Sequence, residues 1–250
     1  MPQLMRTSNP TLNDKVFRGV PLAWGEGMTL QGTINKTGIL LLCAMAGAAW
    51  TWHLFFAEHS FAAVSSMMWL GLLGGMVLAL VTVFKMQWSP ITAPLYAVAE
   101  GLALGGISAT FELRFPGIAI EAVSLTFGTL LVLLMAYKSG MIRVTQKFRL
   151  GVVAATGAIM LFYIVQMVLG FFGVHFAAIN GSGPIGIGIS LVIVAVAALN
   201  LVLDFDFIER GVQSGAPKYM EWYGAFGLMV TLVWLYIEML NLLAKLRSND

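Results

Sequence analysis

Residues Ile185 to Gly211 read IGIGISLVIVAVAALNLVLDFDFIERG. The stretch is apolar for most of its length, then places Asp204 and Asp206 ahead of Arg210. A run of this length and composition is a membrane-spanning helix, which needs about 20 apolar residues. Carboxylates do not belong in hydrocarbon: one at mid-bilayer costs roughly 2.5–3.5 kcal/mol, and less toward the edge. Such a group normally faces a protein interior or a water-filled cavity, so the acidic pair is a candidate site and the rest of the chain its scaffold.

The whole composition agrees. Of 250 residues 59% are hydrophobic and 10% charged, against about 25% charged in soluble domains. Mean hydropathy is +0.86. The apolar runs are continuous rather than alternating, which excludes a barrel and implies a helix bundle. Seven spans are expected, near 38–57, 61–84, 91–111, 118–136, 150–172, 184–207 and 222–244, separated by short polar breaks. The expected division is an N-terminal tail over 1–36 and a seven-helix transmembrane domain over 37–247. The tail is polar, interrupted by Pro10 and Pro21, and has no apolar core of a cleavable signal. Six spans with one re-entrant run remain the alternative.

With the N-terminus cytoplasmic, eleven of the fourteen lysines and arginines fall inside and three, Arg114, Lys245 and Arg247, outside. The C-terminus is then outside. The net charge of +2 and the lack of a basic stretch argue against a nucleic-acid partner. Cys43 is the one cysteine and lies in an apolar run, which excludes an internal disulfide and a thiolate metal cluster. Small residues recur at helix-packing spacing: Gly71 with Gly75, Gly101 with Gly105, and Gly186 with Gly188. The last pair could instead thin one wall of a conduit.

Further acids lie within expected spans: Glu100 mid-way along the third, Glu121 in the outer third of the fourth, and Glu238 in the outer half of the seventh. No lysine or arginine sits mid-span beside them, so they are expected to share protons with one another or to line water. Asp204 and Asp206 point about 200° apart on a helix. Asp204 shares a face with Asn200, and Asp206 with Val202 and Arg210. The plain reading of Asp206 is an i,i+4 pair with Arg210 at a wet helix end. The sharper reading takes Gly211 as the residue just past the helix. The negative dipole end and the apolar setting would then both oppose a carboxylate, and proton occupancy would set its charge. His53, His59 and His175 fall on the outer side, where each reads as an interfacial residue rather than a metal ligand. Asn180-Gly181-Ser182 is a glycosylation sequon.

Four blocks in order carry a resemblance. They are NPTLND near the start, SPITAPLYAVAEGLALGGISATFE, GIAIEAVSLTFGTLLVLLMAYKSG, and ALNLVLDFDFIERGVQSGAPKYMEWYGAFGLMVTLVWLYIEMLNLLAKL. The chain resembles the Bax inhibitor family, the transmembrane Bax inhibitor motif proteins, of the bacterial YccA-like type. The resemblance implies a seven-helix bundle with the last helix central. It also implies a pH-sensitive calcium leak, in which an aspartate of the sixth span pairs with one of the seventh and a basic residue of the second span latches onto the pair. Asp206 matches the sixth-span aspartate, with Asp204 as the register alternative. Lys85 sits at the latch position and Glu121 matches an acid near the outer mouth. In the seventh span the string LYIEMLNLL points to Glu238 with Asn241, whereas span length points to Thr231.

The function expected is a cation leak gated by protonation. Its pathway and gate residues are Asp206, Asp204, Glu238, Glu121 and Glu100, with Lys85 or Arg210 as the latch and Asn200, Thr231 and Asn241 in support. Calcium is the expected permeant ion, since carboxylate oxygens suit it, and no cofactor is expected. The alternative is a non-conducting regulator whose tail binds a membrane protease or a stress- or death-pathway protein. Intramembrane proteolysis is not expected: the GxGD and GxSG strings are absent. The setting expected is a bacterial inner membrane.

Overall fold

A computed structural model describes residues 27–58, 60–173 and 181–248. His59, His175 and Asn180 lie outside the described residues, as does most of the 1–36 tail. The described chain is helical: α1 (Leu30–Glu58), α2 (Phe61–Phe84), α3 (Ser89–Arg114), α4 (Ile118–Lys138), α5 (Gln146–Phe171), α6 (Pro184–Gln213) and α7 (Met220–Arg247). All seven are long and apolar enough to cross a membrane. The protein is an integral, multi-pass membrane protein. Large side chains such as Leu42, Trp69, Leu131 and Val192 stay exposed on its flanks, as expected of a surface solvated by lipid.

Helices begin where their first amides find partners or need none. Thr145 accepts from the Phe148 amide at the start of α5, and Pro184 follows Gly183 at the start of α6. The start of α4 is capped from another helix. Gly117 turns the chain at φ +87°, and Glu112 of α3 accepts from the amides of Gly117 (2.6 Å) and Ala119 (3.1 Å). α1 begins at Leu30, seven residues before the expected start of the transmembrane part, because the Thr29 hydroxyl accepts from the Gly32 amide at 3.0 Å.

α6 runs on to Gln213, and the left-handed residue beyond it is Gly215, not Gly211. Gly211 is helical and buried. Asp206 therefore lies about two turns from the helix end and Asp204 further in, whereas the dipole acts within the last turn. The dipole argument for a strained carboxylate does not hold here.

α7 is the most buried helix, at 67% of its apolar window; α2, α4 and α5 each stand at 17%. α1, α2 and α3 pack through small residues. A side chain at Gly47 would meet the Val98 carbonyl, one at Gly101 the backbone of Ala44, and one at Gly105 both Ala48 and Thr51. Lipid offers no hydrophobic drive for helix association, so close backbone approach has to supply the contact. Gly188, by contrast, has open space beside it. We expect Gly105→Ala to lower the melting temperature in detergent by several degrees, in line with an overpacking cost of about 1–3 kcal/mol. Gly128→Ala, with open space at that position, should leave it unchanged or raise it slightly. Differential scanning fluorimetry on the purified protein checks both.

Candidate functional site: a polar seam between α5, α6 and α7

Between Asn200 and Ile208 every residue of α6 is buried except Asp206, which is half-buried. Asp204 has no exposed surface and Asn200 has 2%. Asp206 faces α5. Its Oδ2 accepts from Arg149 at 2.6 Å and pairs with Arg210 at 2.6 Å. Arg149 is buried in the first turn of α5, one residue ahead of the expected start of that span. The arginine expected at the latch, Arg210, is present. The second cation is Arg149, whereas Lys85 ends α2 and makes no ion pair among the described residues.

The contact continues along α5. The only buried residues of that helix are Arg149, Val152 and Thr156. The Asn200 amide donates to the Thr156 hydroxyl at 2.8 Å and to the Val196 carbonyl at 2.8 Å. Two turns further, the Tyr163 hydroxyl donates to Glu238 of α7 at 2.6 Å. Beyond that, the Lys245 ammonium donates to Ser190 (2.9 Å) and the Gly186 carbonyl (3.2 Å) of α6. Arg149, Thr156 and Tyr163 recur every seven residues, and so do Thr231, Glu238 and Lys245 on α7. Seven residues is nearly two full helical turns, so each set forms one stripe. From Arg149 to Tyr163 the α5 stripe rises roughly 21 Å.

This register separates the acids that were candidates for a pair. A side chain at Gly224 would touch Ile208, so those two positions are level on the antiparallel helices. Asp204 is then level with Leu228, and Glu238 lies roughly 15 Å further along α7. Asp206 and Glu238 do not meet. Thr231, the other candidate for the seventh-span position, is buried nearer the aspartates and bonds back to the Gly227 carbonyl at 3.4 Å. The glutamates find neutral donors instead of one another: Tyr163 caps Glu238, and Tyr96 hydrogen-bonds Glu100, which lies against Gly75. Glu121 is half-exposed and pairs with Arg247 at 2.7 Å, away from the seam. Asn241 lines an open depression of about 450 Å³ at the same end, with Arg114, Lys245 and Ser182.

The chain over residues 6–248 matches the family model described as Bax inhibitor 1 like. The chain belongs to the Bax inhibitor 1-like family. No curated protein matches it. In this member of the family the sixth-helix aspartate is held by two arginines, one from α5.

Arg149 and Tyr163 were not among the expected site residues. Arg149 stood in an apparent loop by hydropathy, and Tyr163 is unremarkable in an apolar run. Their seven-residue interval with Thr156, on a helix otherwise facing lipid, was the available signal. A further missed residue is Glu221, fully buried at the start of α7. Arg149→Met should destabilise the protein by about 1–3 kcal/mol, the cost of depriving a buried polar group of a partner. Arg149→Met combined with Asp206→Leu should recover most of the loss, because no orphaned charge remains. Melting temperatures of the single and double variants measure this.

Proposed function

We propose that the protein is a proton-sensitive cation leak whose route follows the seam between α5, α6 and α7, with calcium as the permeant ion. The observation that carries this reading is the polar seam itself, which holds Glu238 toward one end and, at the other, Asp206 clasped by Arg149 and Arg210. An ionised Asp206 holds both arginines, which fill the place a cation would take. Protonation removes that hold, frees the arginines to withdraw, and leaves Asp204 and the deeper carboxylates to attract a cation. Glu238 would offer a permeating ion oxygen ligands; its direct partners are the neutral Tyr163 hydroxyl and Trp234, with the Lys245 ammonium nearby on α7. Rings or rows of acids select cations. The Asp206 end carries most of the basic residues, including Lys36, Lys85, Arg143 and Lys147, which favours a cytoplasmic placement of that end and of the N-terminus. A YccA-like protein of a bacterial inner membrane is the setting this reading adopts.

The sign of the pH effect follows from the closing contact. High pH keeps Asp206 charged and the route shut; low pH opens it. Calcium flux into dye-loaded proteoliposomes should therefore rise several-fold as pH falls through the acidic range. Asp206→Asn should give high flux at every pH. Equal, pH-insensitive flux in wild type and variant would remove the gate.

The second reading, a non-conducting regulator that engages a membrane protease or stress-pathway protein, draws on one observation. Gly27 and Met28, which follow the tail in sequence, are fixed to the α6–α7 turn beside the foot of α6. Removal of residues 1–26 separates the two: lost partner capture with flux intact assigns the tail its own role.

A further inference from the structure

The least expected polar cluster in the fold lies at the start of α7. Glu221 has no exposed surface, yet it is surrounded by donors from a distant part of the chain. The Thr29 amide (2.8 Å) and hydroxyl (2.7 Å) both donate to its Oε1, and Lys218 pairs with the same oxygen at 3.2 Å. Lys36 pairs with Oε2 while lying 5.6 Å over the Trp222 ring. A side chain at Gly32 would run into the Glu221 carboxylate and push it out of its place. One carboxylate thus caps α1 and neutralises a lysine of α1 at once.

The residues just before α1 complete the arrangement. Gly27 bridges to Pro217 in antiparallel fashion, and the Met28 amide donates to the Ala216 carbonyl at 2.7 Å. The Met28 side chain is 3% exposed and joins Phe207, Ile208, Ala216, Met220 and Tyr223 in one apolar cluster. Gly224 leaves the room in which Met28, Ile208 and Thr33 converge. Ile208 is one turn from Asp204 on α6.

We propose that residues 27–36 are a releasable strap, buckled on Glu221, that closes the foot of α6 and transmits the state of the N-terminal tail to it. Its hold is short and polar: one backbone bridge, one apolar side chain and one carboxylate cage. Removing the strap strips Glu221 of Thr29 and Lys36 together and leaves the half-exposed Lys218, at 3.2 Å, to hold a buried carboxylate that four contacts held before. The α1 cap, the α6–α7 turn and the cover over Ile208 therefore loosen as a unit. Engagement of the tail by another protein would act on Asp204 and Asp206 through that unit.

Two measurements test this, one of them independent of conduction. In a Cys43→Ser background, Ile208→Cys should react slowly with a membrane-impermeant maleimide while the strap is intact. Adding Glu221→Gln, or separately Gly32→Ala, should raise the labelling rate at least tenfold. Rates unchanged in both, with full labelling after denaturation, would overturn the strap. In the same background, Met28→Cys with Ala216→Cys, neighbours joined by the Met28 amide to Ala216 carbonyl hydrogen bond, should lock the strap when oxidised. Calcium flux at acidic pH should fall several-fold on oxidation and return on reduction. Equal flux in the two states, with a wild-type leak present, would overturn the coupling. Faster labelling with no flux in any variant at any pH would support the strap and dispose of the leak reading instead.

Discussion

The contact of Arg149 with Asp206 is the interaction on which the architecture of the α5 side depends. In hydrocarbon no water satisfies a polar group, so each one must be met by another helix or by its own backbone. α5 buries only three side chains, and two of them, Arg149 and Thr156, are polar. Lipid gives an apolar face no reason to prefer protein over its surroundings. α5 is therefore positioned by hydrogen bonds and charge, where α1, α2 and α3 are positioned by glycine and alanine backbones in close approach. The two halves of the bundle are held by different physics. The half held by polar contacts is the half whose docking depends on charge.

Two kinds of partner divide the acids. The aspartate on the exposed side of the α6 foot meets arginines, which are always charged. The glutamates deeper in the bundle, Glu100 and Glu238, meet tyrosine hydroxyls. A phenol donates to a carboxylate without cancelling its charge. Along the seam, Asp206 is thus met by full positive charge, whereas the direct partner of Glu238 on α5 is a neutral hydroxyl. Two full cations meet one half-buried carboxylate at the Asp206 end; under the proposed function, removing that negative charge would remove the reason for both arginines to stay.

The seven spans were legible from composition and run length alone, because hydrocarbon imposes one secondary structure and a minimum length. Their ends were not. α5 begins at Gln146 rather than 150 and α6 ends at Gln213 rather than 207, since polar residues near an interface continue a helix when a partner awaits them. That error hid Arg149 in a loop and moved Asp206 into a last turn it does not occupy. The Asp206–Arg210 pair was legible, being local at i,i+4. The α5 stripe was not, because hydropathy averages over faces and a seven-residue interval of unlike polar residues leaves it unmoved. Glu221 escaped for a further reason. Its partners Thr29 and Lys36 are about 190 residues away in the chain, and no local pattern in MEWYGAFG points to them.

α6 joins these observations. One edge of its foot is Asp206, tied through Arg149 to a helix that buries only three side chains. The opposite edge is Ile208, covered by Met28 and thereby tied to the N-terminal segment. Asp204 lies on the Ile208 side, about 200° around the helix from Asp206, and is fully enclosed. The two attachments thus hold the same short stretch of α6 from opposite faces. Charge on Asp206 governs the first attachment, and the cage around Glu221 governs the second. Under the two proposals, proton occupancy on one face and occupancy of the tail on the other would converge on the same two turns of α6 without touching each other, and at the foot of α6 the two readings of the protein's function would cease to be alternatives.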